Sequence, residues 1–161
     1  NDKMPKFCFD FVQNILRQYK NKQINIGLLG VAYGPGIGDT RFSPVEDFYT
    51  RLSKNFDNIQ CHDPYVSRWV ELDLIVETSL LEFFENSLDV LIVTTGHRDY
   101  LESDGIYQLV AKAKEGLIII DTVGLLNLEK LPIRLQFLLR FADQQGVVFH
   151  LTKHQCFSST L

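Results

Sequence analysis

The sequence lacks the features that define membrane, secreted and nucleic-acid-binding proteins. No apolar run reaches the length needed to cross a membrane, and no signal-peptide pattern is present. The 161 residues carry a formal charge of -4 and no basic stripe, which argues against nucleic acid as a partner. Its three cysteines, Cys8, Cys61 and Cys156, lie far apart without a CxxC pair, so we expect reduced thiols in a cytoplasmic protein.

Signatures of common catalytic sites are also missing. The chain has no GxSxG elbow, no HExxH helix, and no Walker P-loop, because no Lys-Ser or Lys-Thr follows its glycines. The glycine spacing departs from GxGxxG as well. His150 and His154 are four residues apart without a carboxylate on the same face, so no metal site is predicted. The residues alone therefore predict a ligand-binding domain without an evident catalytic apparatus.

One glycine-rich stretch, residues 24–44, organises what is present. Its apolar start predicts a buried strand, and its glycines predict a tight turn into a helix that Ser43 caps and Pro44 opens. Such a turn brings backbone N–H groups to a helix N-terminus, where anionic groups bind well. The glycines alone are equally consistent with a turn that binds nothing.

Strand and helix patterns alternate along the chain. The predicted strands are 24–29, 59–62, 88–95, 117–120 and 147–151, and the predicted helices are 4–19, 44–55, 79–86, 104–114 and 133–145. This alternation predicts an α/β fold, a Rossmann-like three-layer sandwich with a mostly parallel sheet, preceded by an N-terminal helix. Residues 69–76 are ambiguous, and residues 157–161 are expected to form a loose tail.

Ligands of parallel α/β sheets bind beyond the carboxyl ends of the strands, so the residues after each strand are the candidates. These are residues 33–41, 62–65, 94–100 and 121–124. Arg41 suits a phosphate or carboxylate, or alternatively pairs with Asp39 at the surface. Asp63 most simply forms a turn with Pro64. His97 either touches a polar ligand or is a satisfied surface histidine.

Four motifs lie in order along the chain and carry a resemblance to a known family. They are Gly30-Val31-Ala32-Tyr33, Gly38-Asp39-Thr40-Arg41-Phe42-Ser43-Pro44, Asp63-Pro64-Tyr65 and Asp121-Thr122. Together they resemble the C-terminal, UDP-binding domain of the UDP-glucose/GDP-mannose dehydrogenases. Residues 94–100 and 121–124 are similar to the branch that oxidises UDP-N-acetylhexosamines.

The resemblance implies a UDP-sugar as ligand and NAD as the cofactor of an enzyme that oxidises C6 of the sugar to a carboxylate. Tyr33 and Gly34 would contact the nucleotide sugar, and Arg41 would reach the cofactor or a dimer partner. NAD would be held mainly by an N-terminal Rossmann domain, and the catalytic cysteine would lie outside this chain. We therefore expect no catalytic residue here.

The resemblance also implies a domain organisation. Residues 1–22 would be the end of a helix that leaves a central domain, residues 23–155 the UDP-binding domain, and residues 156–161 a tail. The whole protein would contact its own N-terminal and central domains and form a homodimer, whereas this fragment alone would not catalyse the oxidation.

Two charges that the family usually carries are absent. Gly34 stands where the family has lysine, and Val123 stands where it has arginine. A charge-assisted phosphate contact contributes roughly 1.5 to 3 kcal/mol, so losing two weakens binding by on the order of a hundredfold or more. One alternative is therefore a degenerate, non-enzymatic module for assembly or regulation. A phospho-acceptor domain centred on Asp63 is a further alternative, although no lysine follows Asp121.

Overall fold

Strands and helices alternate through most of the chain, as the sequence predicts. The computed structural model describes residues 3–19, 23–132, 137–141, 148–151 and 156–159. The strands are β1 (Ile26–Leu29), β2 (Ile59–His62), β3 (Arg68–Trp69), β4 (Leu74–Ile75), β5 (Val90–Val93), β6 (Ile118–Asp121), β7 (Phe137–Phe141), β8 (Val148–Leu151) and β9 (Cys156–Ser159). The α-helices are α1 (Lys3–Leu16), α2 (Pro44–Leu52), α3 (Leu80–Glu85) and α4 (Gly105–Lys112).

The main sheet is mostly parallel. Its strand order is β2-β1-β5-β6-β7-β8-β9, and every pairing from β2 through to β7 is parallel. Strands β8 and β9 pair antiparallel at the far edge, and β3 and β4 form a separate hairpin. Because the parallel strands share one direction, the loops that follow β1, β2, β5 and β6 leave the same edge of the sheet.

Helices cover both faces of the sheet, which confirms the predicted three-layer sandwich. Successive strand residues point to opposite faces, so Ile92 joins the core on one side while Leu91 joins the core on the other. Side chains of α1 and α2 pack on the first face, where the rings of Phe9 and Phe48 meet edge to face. Side chains of α3 and α4 pack on the second face. Both faces of β5 and β6 are therefore buried, which explains their nearly unbroken apolar runs.

The first helix after β1 begins where the sequence predicts. Ser43 precedes α2, and its hydroxyl oxygen accepts a hydrogen bond from the Val45 N–H at 3.3 Å. The same hydroxyl donates to the Val31 carbonyl oxygen at 2.9 Å. Pro44 is the first helical residue, where its missing N–H is not needed. This cap ties the start of α2 to the beginning of the loop that leaves β1.

Two predictions near the C-terminus are wrong. Within the helix predicted at 133–145, residues 137–141 instead form strand β7, which extends the parallel sheet beside β6, and the rest of that range lies outside the described residues. The loose tail predicted from residue 157 is replaced in part by strand β9, which pairs with β8. Short, almost continuous apolar runs suit a buried strand as well as a helix, and periodicity cannot separate the two.

The ambiguous stretch 69–76 forms parts of a small hairpin. Strands β3 and β4 pair through Trp69 and Leu74, and a 3-10 turn at Val70–Leu72 joins them. Trp69 is fully buried and packs against Tyr49 of α2 with ring centroids 5.7 Å apart.

In the described part of the chain, no helix combines the length and the apolarity that a membrane crossing requires.

Candidate functional site

Four loops meet at the edge of the sheet where its parallel strands end. They comprise residues 30–43, 63–67, 94–100 and 121–127. The loops after β1 and β5 are tied together by two threonine hydroxyls. Thr94 donates to the Gly30 carbonyl oxygen at 2.5 Å, and Thr95 donates to the Ala32 carbonyl oxygen at 2.8 Å. The structure therefore brings the loops that carry Tyr33, Arg41, Thr94 and Asp121 to one edge, as predicted.

Asp63 joins three of these loops by hydrogen bonds. Its side chain is fully buried, and one carboxylate oxygen, Oδ2, accepts from the Val31 N–H at 2.9 Å and the Ala32 N–H at 3.0 Å. The other oxygen accepts from the Tyr65 N–H at 2.9 Å, which confirms the predicted turn. Because it is buried and occupied by these donors, Asp63 is not an accessible phospho-acceptor.

These bonds also account for the charge on Asp63. Burial alone would raise the pKa of its carboxyl, but hydrogen bonds from His97 and from three backbone N–H groups outweigh burial. The pKa of Asp63 is therefore lowered, and the carboxylate stays ionised at neutral pH. At the turn after β1, the Asp63 carboxylate thus accepts from backbone N–H groups that could otherwise bind an anionic ligand.

His97 is fully buried, unlike the surface histidine or ligand contact that the sequence suggested. Its Nε2 lies 3.0 Å from Oδ2 of Asp63, and its Nδ1 accepts from the Gly36 N–H at 3.0 Å. Since an N–H group always donates, Nδ1 is unprotonated, and the neutral ring donates to Asp63 through Nε2. The rings of Tyr65 and Tyr100 contact the imidazole, with centroids 5.2 and 5.5 Å away. His97 thus links the ends of β2 and β5 to the glycine-rich loop.

Residues 33–38, which we call the open segment, are mostly exposed to solvent. Tyr33 closes its base, because the Tyr33 N–H donates to the Asp39 carbonyl oxygen at 2.7 Å. The Tyr33 side chain itself is 60% exposed. Among the described residues, the N–H groups of Gly34, Ile37 and Gly38 meet no protein acceptor. The open segment therefore offers an exposed ring and unused backbone donors to a ligand.

Arg41 is held at the surface by Asp39. Its Nε and Nη2 donate to the two carboxylate oxygens of Asp39 at 2.9 and 2.7 Å. The hydrogen bond from Arg41 lowers the pKa of Asp39 to about 2, and the same bond raises the pKa of Arg41. Among the described residues, no hydrogen bond joins Arg41 to Tyr33 or Gly34. Arg41 is thus an exposed, charged group whose side-chain hydrogen bonds go to Asp39 and not to the open segment.

Asp121 fixes the loop after β6 in the same way that Asp63 fixes the loop after β1, by accepting hydrogen bonds from backbone N–H groups. Its buried carboxylate accepts from the N–H groups of Val123, Leu125 and Leu126 at 3.2, 3.1 and 2.8 Å. The Val123 side chain remains 46% exposed, so the position where the family carries arginine is open to solvent. Asp121 is therefore a structural residue of this loop.

The two adjacent residues of β2, Cys61 and His62, point to opposite faces, as predicted. Cys61 joins the core beside α2, where burial raises the pKa of its thiol to about 12. His62 packs against Phe83 and Tyr100 on the other side, and burial lowers the pKa of its imidazole to about 4. Both side chains are buried, so neither is accessible to a substrate as a nucleophile or general base. Within the described part, no group of three His, Cys, Asp or Glu is placed to hold a metal, and His154 lies outside it.

Comparisons of sequence with known proteins give matches over most of the chain. A sequence profile described as the UDP binding domain of the UDP-glucose/GDP-mannose dehydrogenase family matches residues 27–128. The chain is also similar to the UDP-N-acetyl-D-mannosamine dehydrogenase of Methanocaldococcus jannaschii, with 28% identity over 131 residues. That alignment covers 80% of this chain and 29% of the relative.

Comparisons of structure lead to the same group. The structure of a UDP-D-ManNAc dehydrogenase from Pyrococcus horikoshii matches with a TM-score of 0.64 and 25% identity over 80% of this chain. An NDP-N-acetyl-D-galactosaminuronic acid dehydrogenase from Methanosarcina mazei matches with a TM-score of 0.63 and 25% identity over 81% of it. These matches cover 29% and 27% of the two solved chains. The chain thus spans less than a third of the length of these relatives.

Proposed function

Because the chain belongs to the UDP-glucose/GDP-mannose dehydrogenase family and corresponds to its UDP-binding domain, we propose that it binds the nucleotide part of a UDP-sugar. The binding surface is the open segment, with Tyr33 and Gly34 as the contacts. The observation that carries this proposal is the combination of an exposed Tyr33 ring with unused N–H groups at Gly34, Ile37 and Gly38. A planar base suits the ring, and phosphate oxygens suit the N–H groups.

The turn directly after β1 does not fit the pyrophosphate of NAD. In dinucleotide-binding turns, backbone N–H groups at this place are directed at the phosphates. Here the N–H groups of Val31 and Ala32 donate to the ionised Asp63, so they are not available to a phosphate. We propose that NAD is held mainly outside this chain. Arg41, which is exposed and always charged, is then its contact, or the contact of a dimer partner.

The whole protein is proposed to be an NAD-dependent dehydrogenase that oxidises a UDP-sugar to a UDP-uronic acid. In this proposal the cofactor domain, the central domain and the catalytic cysteine lie outside the chain, and the whole protein acts as a homodimer. This chain contributes recognition of the nucleotide. A cytoplasmic location is proposed with it, supported by the free, buried thiol of Cys61.

A second candidate function is a non-enzymatic module that keeps the fold for assembly or regulation. Gly34 and Val123 favour it, because neither supplies the positive charge that the family places there. Arg41, in the same loop as Gly34, does not replace the missing lysine freely, because its guanidinium is paired with Asp39.

Titration calorimetry of the 161-residue chain with UDP tests the first proposal. UDP, UDP-glucose and UDP-N-acetylglucosamine at millimolar concentration are each expected to give a saturable heat. Tyr33→Ala is expected to weaken binding by at least fivefold, since it removes the exposed ring. Leu81→Ala is the matched control, because Leu81 is an equally exposed apolar side chain on α3. Absence of heat with all three nucleotides would contradict the proposal.

A further inference from the structure

His97 connects the buried Asp63 to the tip of the open segment by two hydrogen bonds on opposite sides of one ring. We propose that His97 is a positioning residue for nucleotide binding, which holds the open segment in its binding shape through the Gly36 N–H. This inference rests on the function proposed above. It assigns His97 no contact with the ligand and no chemical step.

The open segment is held at its ends, where the Tyr33 N–H donates to the Asp39 carbonyl oxygen and a Cβ atom on Gly38 would lie 2.6 Å from the Tyr65 carbonyl oxygen, but its tip has little else to hold it. A Cβ atom built on Gly36 would meet no atom within 4 Å, and one built on Gly34 would meet only the Ile37 side chain, at 3.9 Å. Gly36 also has a φ of +74°, a conformation that glycine adopts without steric strain but does not adopt by preference. Packing therefore does not select the conformation of the tip at Gly36. The bond between the Gly36 N–H and Nδ1 of His97 supplies the selection, because the imidazole itself is buried and rigid.

Asp63 makes His97 suitable for this role. A neutral histidine exists as two tautomers, and only the one with the proton on Nε2 accepts a hydrogen bond at Nδ1. The ionised Asp63 stabilises that tautomer by accepting from Nε2. Asp63 itself stays fixed without His97, because the Val31, Ala32 and Tyr65 N–H groups also hold it. Asp63 and His97 together thus fix the conformation of the open segment relative to the end of β2.

Two substitutions separate positioning from mere stability. Asparagine places its amide oxygen near the position of Nδ1, so His97→Asn keeps an acceptor for Gly36 and loses the donor to Asp63. Glutamine places its amide nitrogen near the position of Nε2, so His97→Gln keeps the donor to Asp63 and loses the acceptor for Gly36. A purely structural role predicts that nucleotide affinity follows stability in both variants. A positioning role predicts instead that the more stable variant, His97→Gln, has the lower nucleotide affinity.

The experiment measures three quantities for the wild-type chain and both variants. Calorimetry with UDP is expected to show His97→Asn within about twofold of wild type and His97→Gln weaker by about three- to tenfold, the effect of one hydrogen bond. Urea unfolding is expected to rank the variants in the opposite order, because only His97→Gln keeps the hydrogen bond from residue 97 to the buried Asp63. Hydrogen exchange of the Gly36 amide, by NMR, is expected to be fast only in His97→Gln.

The readouts also separate this inference from the proposed function. If wild type shows no heat with UDP, the proposed function fails and nucleotide positioning fails with it, while Gly36 exchange still decides whether His97 holds the segment. If UDP binds wild type but both variants lose affinity in proportion to their stability, the positioning role is overturned. Should His97→Asn fail to fold, slow Gly36 exchange in His97→Gln, or a wild-type imidazole protonated at Nδ1 by 15N NMR, would overturn it.

Discussion

The backbone of Gly30 passes so close to Thr95 that no side chain fits between them. A Cβ atom on Gly30 would lie 2.6 Å from the carbonyl oxygen of Thr95 and 2.7 Å from its nitrogen. Gly30 also has a φ of +95°, a conformation that other residues rarely adopt. This approach allows the loop after β5 to lie against the loop after β1, so it shapes the edge where the candidate site lies.

Gly30→Ala is therefore expected to lower the free energy of unfolding by roughly 2 kcal/mol or more, because it combines backbone strain with a clash against backbone atoms. Gly105→Ala is the matched control. Gly105 is the first residue of α4, its φ is -54°, and a Cβ atom there meets nothing within 4 Å. It should stabilise by about 0.4 to 1 kcal/mol. Urea unfolding of both variants checks this, and equal effects would refute it.

Phe42 is expected to be a site where substitution stabilises the chain. It has a φ of +59°, and its side chain is 91% exposed. The left-handed conformation costs a residue with a bulky side chain roughly 1 to 2 kcal/mol, whereas asparagine tolerates it better. Phe42→Asn should therefore raise the free energy of unfolding by about 0.5 to 1 kcal/mol. Val70→Asn, at a similarly exposed residue without positive φ, should change it by less than about 0.5 kcal/mol. Destabilisation by Phe42→Asn would contradict the prediction.

His62 is expected to make stability fall in mild acid. Burial lowers the pKa of this histidine from 6.5 to about 4. Between these values the unfolded chain binds a proton that the folded chain does not, so the contribution is complete above pH 6.5 and is lost as the pH falls towards 4. At about 1.4 kcal/mol per pKa unit, the loss is on the order of 3 kcal/mol. Urea unfolding at several pH values between 7 and 4.5 measures this slope.

His62→Phe is the variant that isolates this effect. Phenylalanine keeps an aromatic ring between Phe83 and Tyr100, whose rings lie 5.4 and 5.5 Å from the imidazole, and it does not titrate. The fall in stability between pH 7 and 4.5 should be smaller in this variant by roughly 2 to 3 kcal/mol. Identical slopes in the two proteins would show that His62 is protonated equally well in the folded and unfolded chains.

Restoring the two absent charges is expected to strengthen UDP binding. Gly34→Lys has room, since the nearest atom to a Cβ there is 3.9 Å away, and Val123→Arg starts from a half-exposed side chain. Each new charge should raise the affinity by roughly ten- to a hundredfold, the effect of one charge-assisted contact with phosphate. Calorimetry with UDP at constant salt checks this.

Leu81→Lys is the control for net charge, because Leu81 is an exposed residue of α3 and belongs to neither the loop after β1 nor the loop after β6. It should leave UDP affinity unchanged. If UDP binds only after the charges are restored, the chain is the non-enzymatic module of the second candidate function. If Gly34→Lys and Val123→Arg have no more effect than Leu81→Lys, the nucleotide does not bind at this edge.

The sequence was most informative where local pattern and final environment coincide. Strands β5 and β6 are nearly all apolar because both faces are buried, and Ser43 with Pro44 marks the start of α2 because helix capping is local. The pattern was misleading at 137–141, where the strand exists because β6 offers it a parallel neighbour. That neighbour is distant in sequence, so no periodicity within the segment indicates it.

The candidate site likewise has features that the sequence predicts and features that only the folded structure reveals. Residue types and strand order determined that polar and glycine residues would gather at one edge of a parallel sheet, because strand direction alone places them there. Only the tertiary structure decided what those residues do. Asp63 meets N–H groups 31 and 32 residues before it and an imidazole 34 residues after it, and these partners make it a buried anion that organises the loop rather than a ligand contact. The physical reason is that a carboxylate's role depends on which donors surround it, and those donors come from strands that only folding brings together.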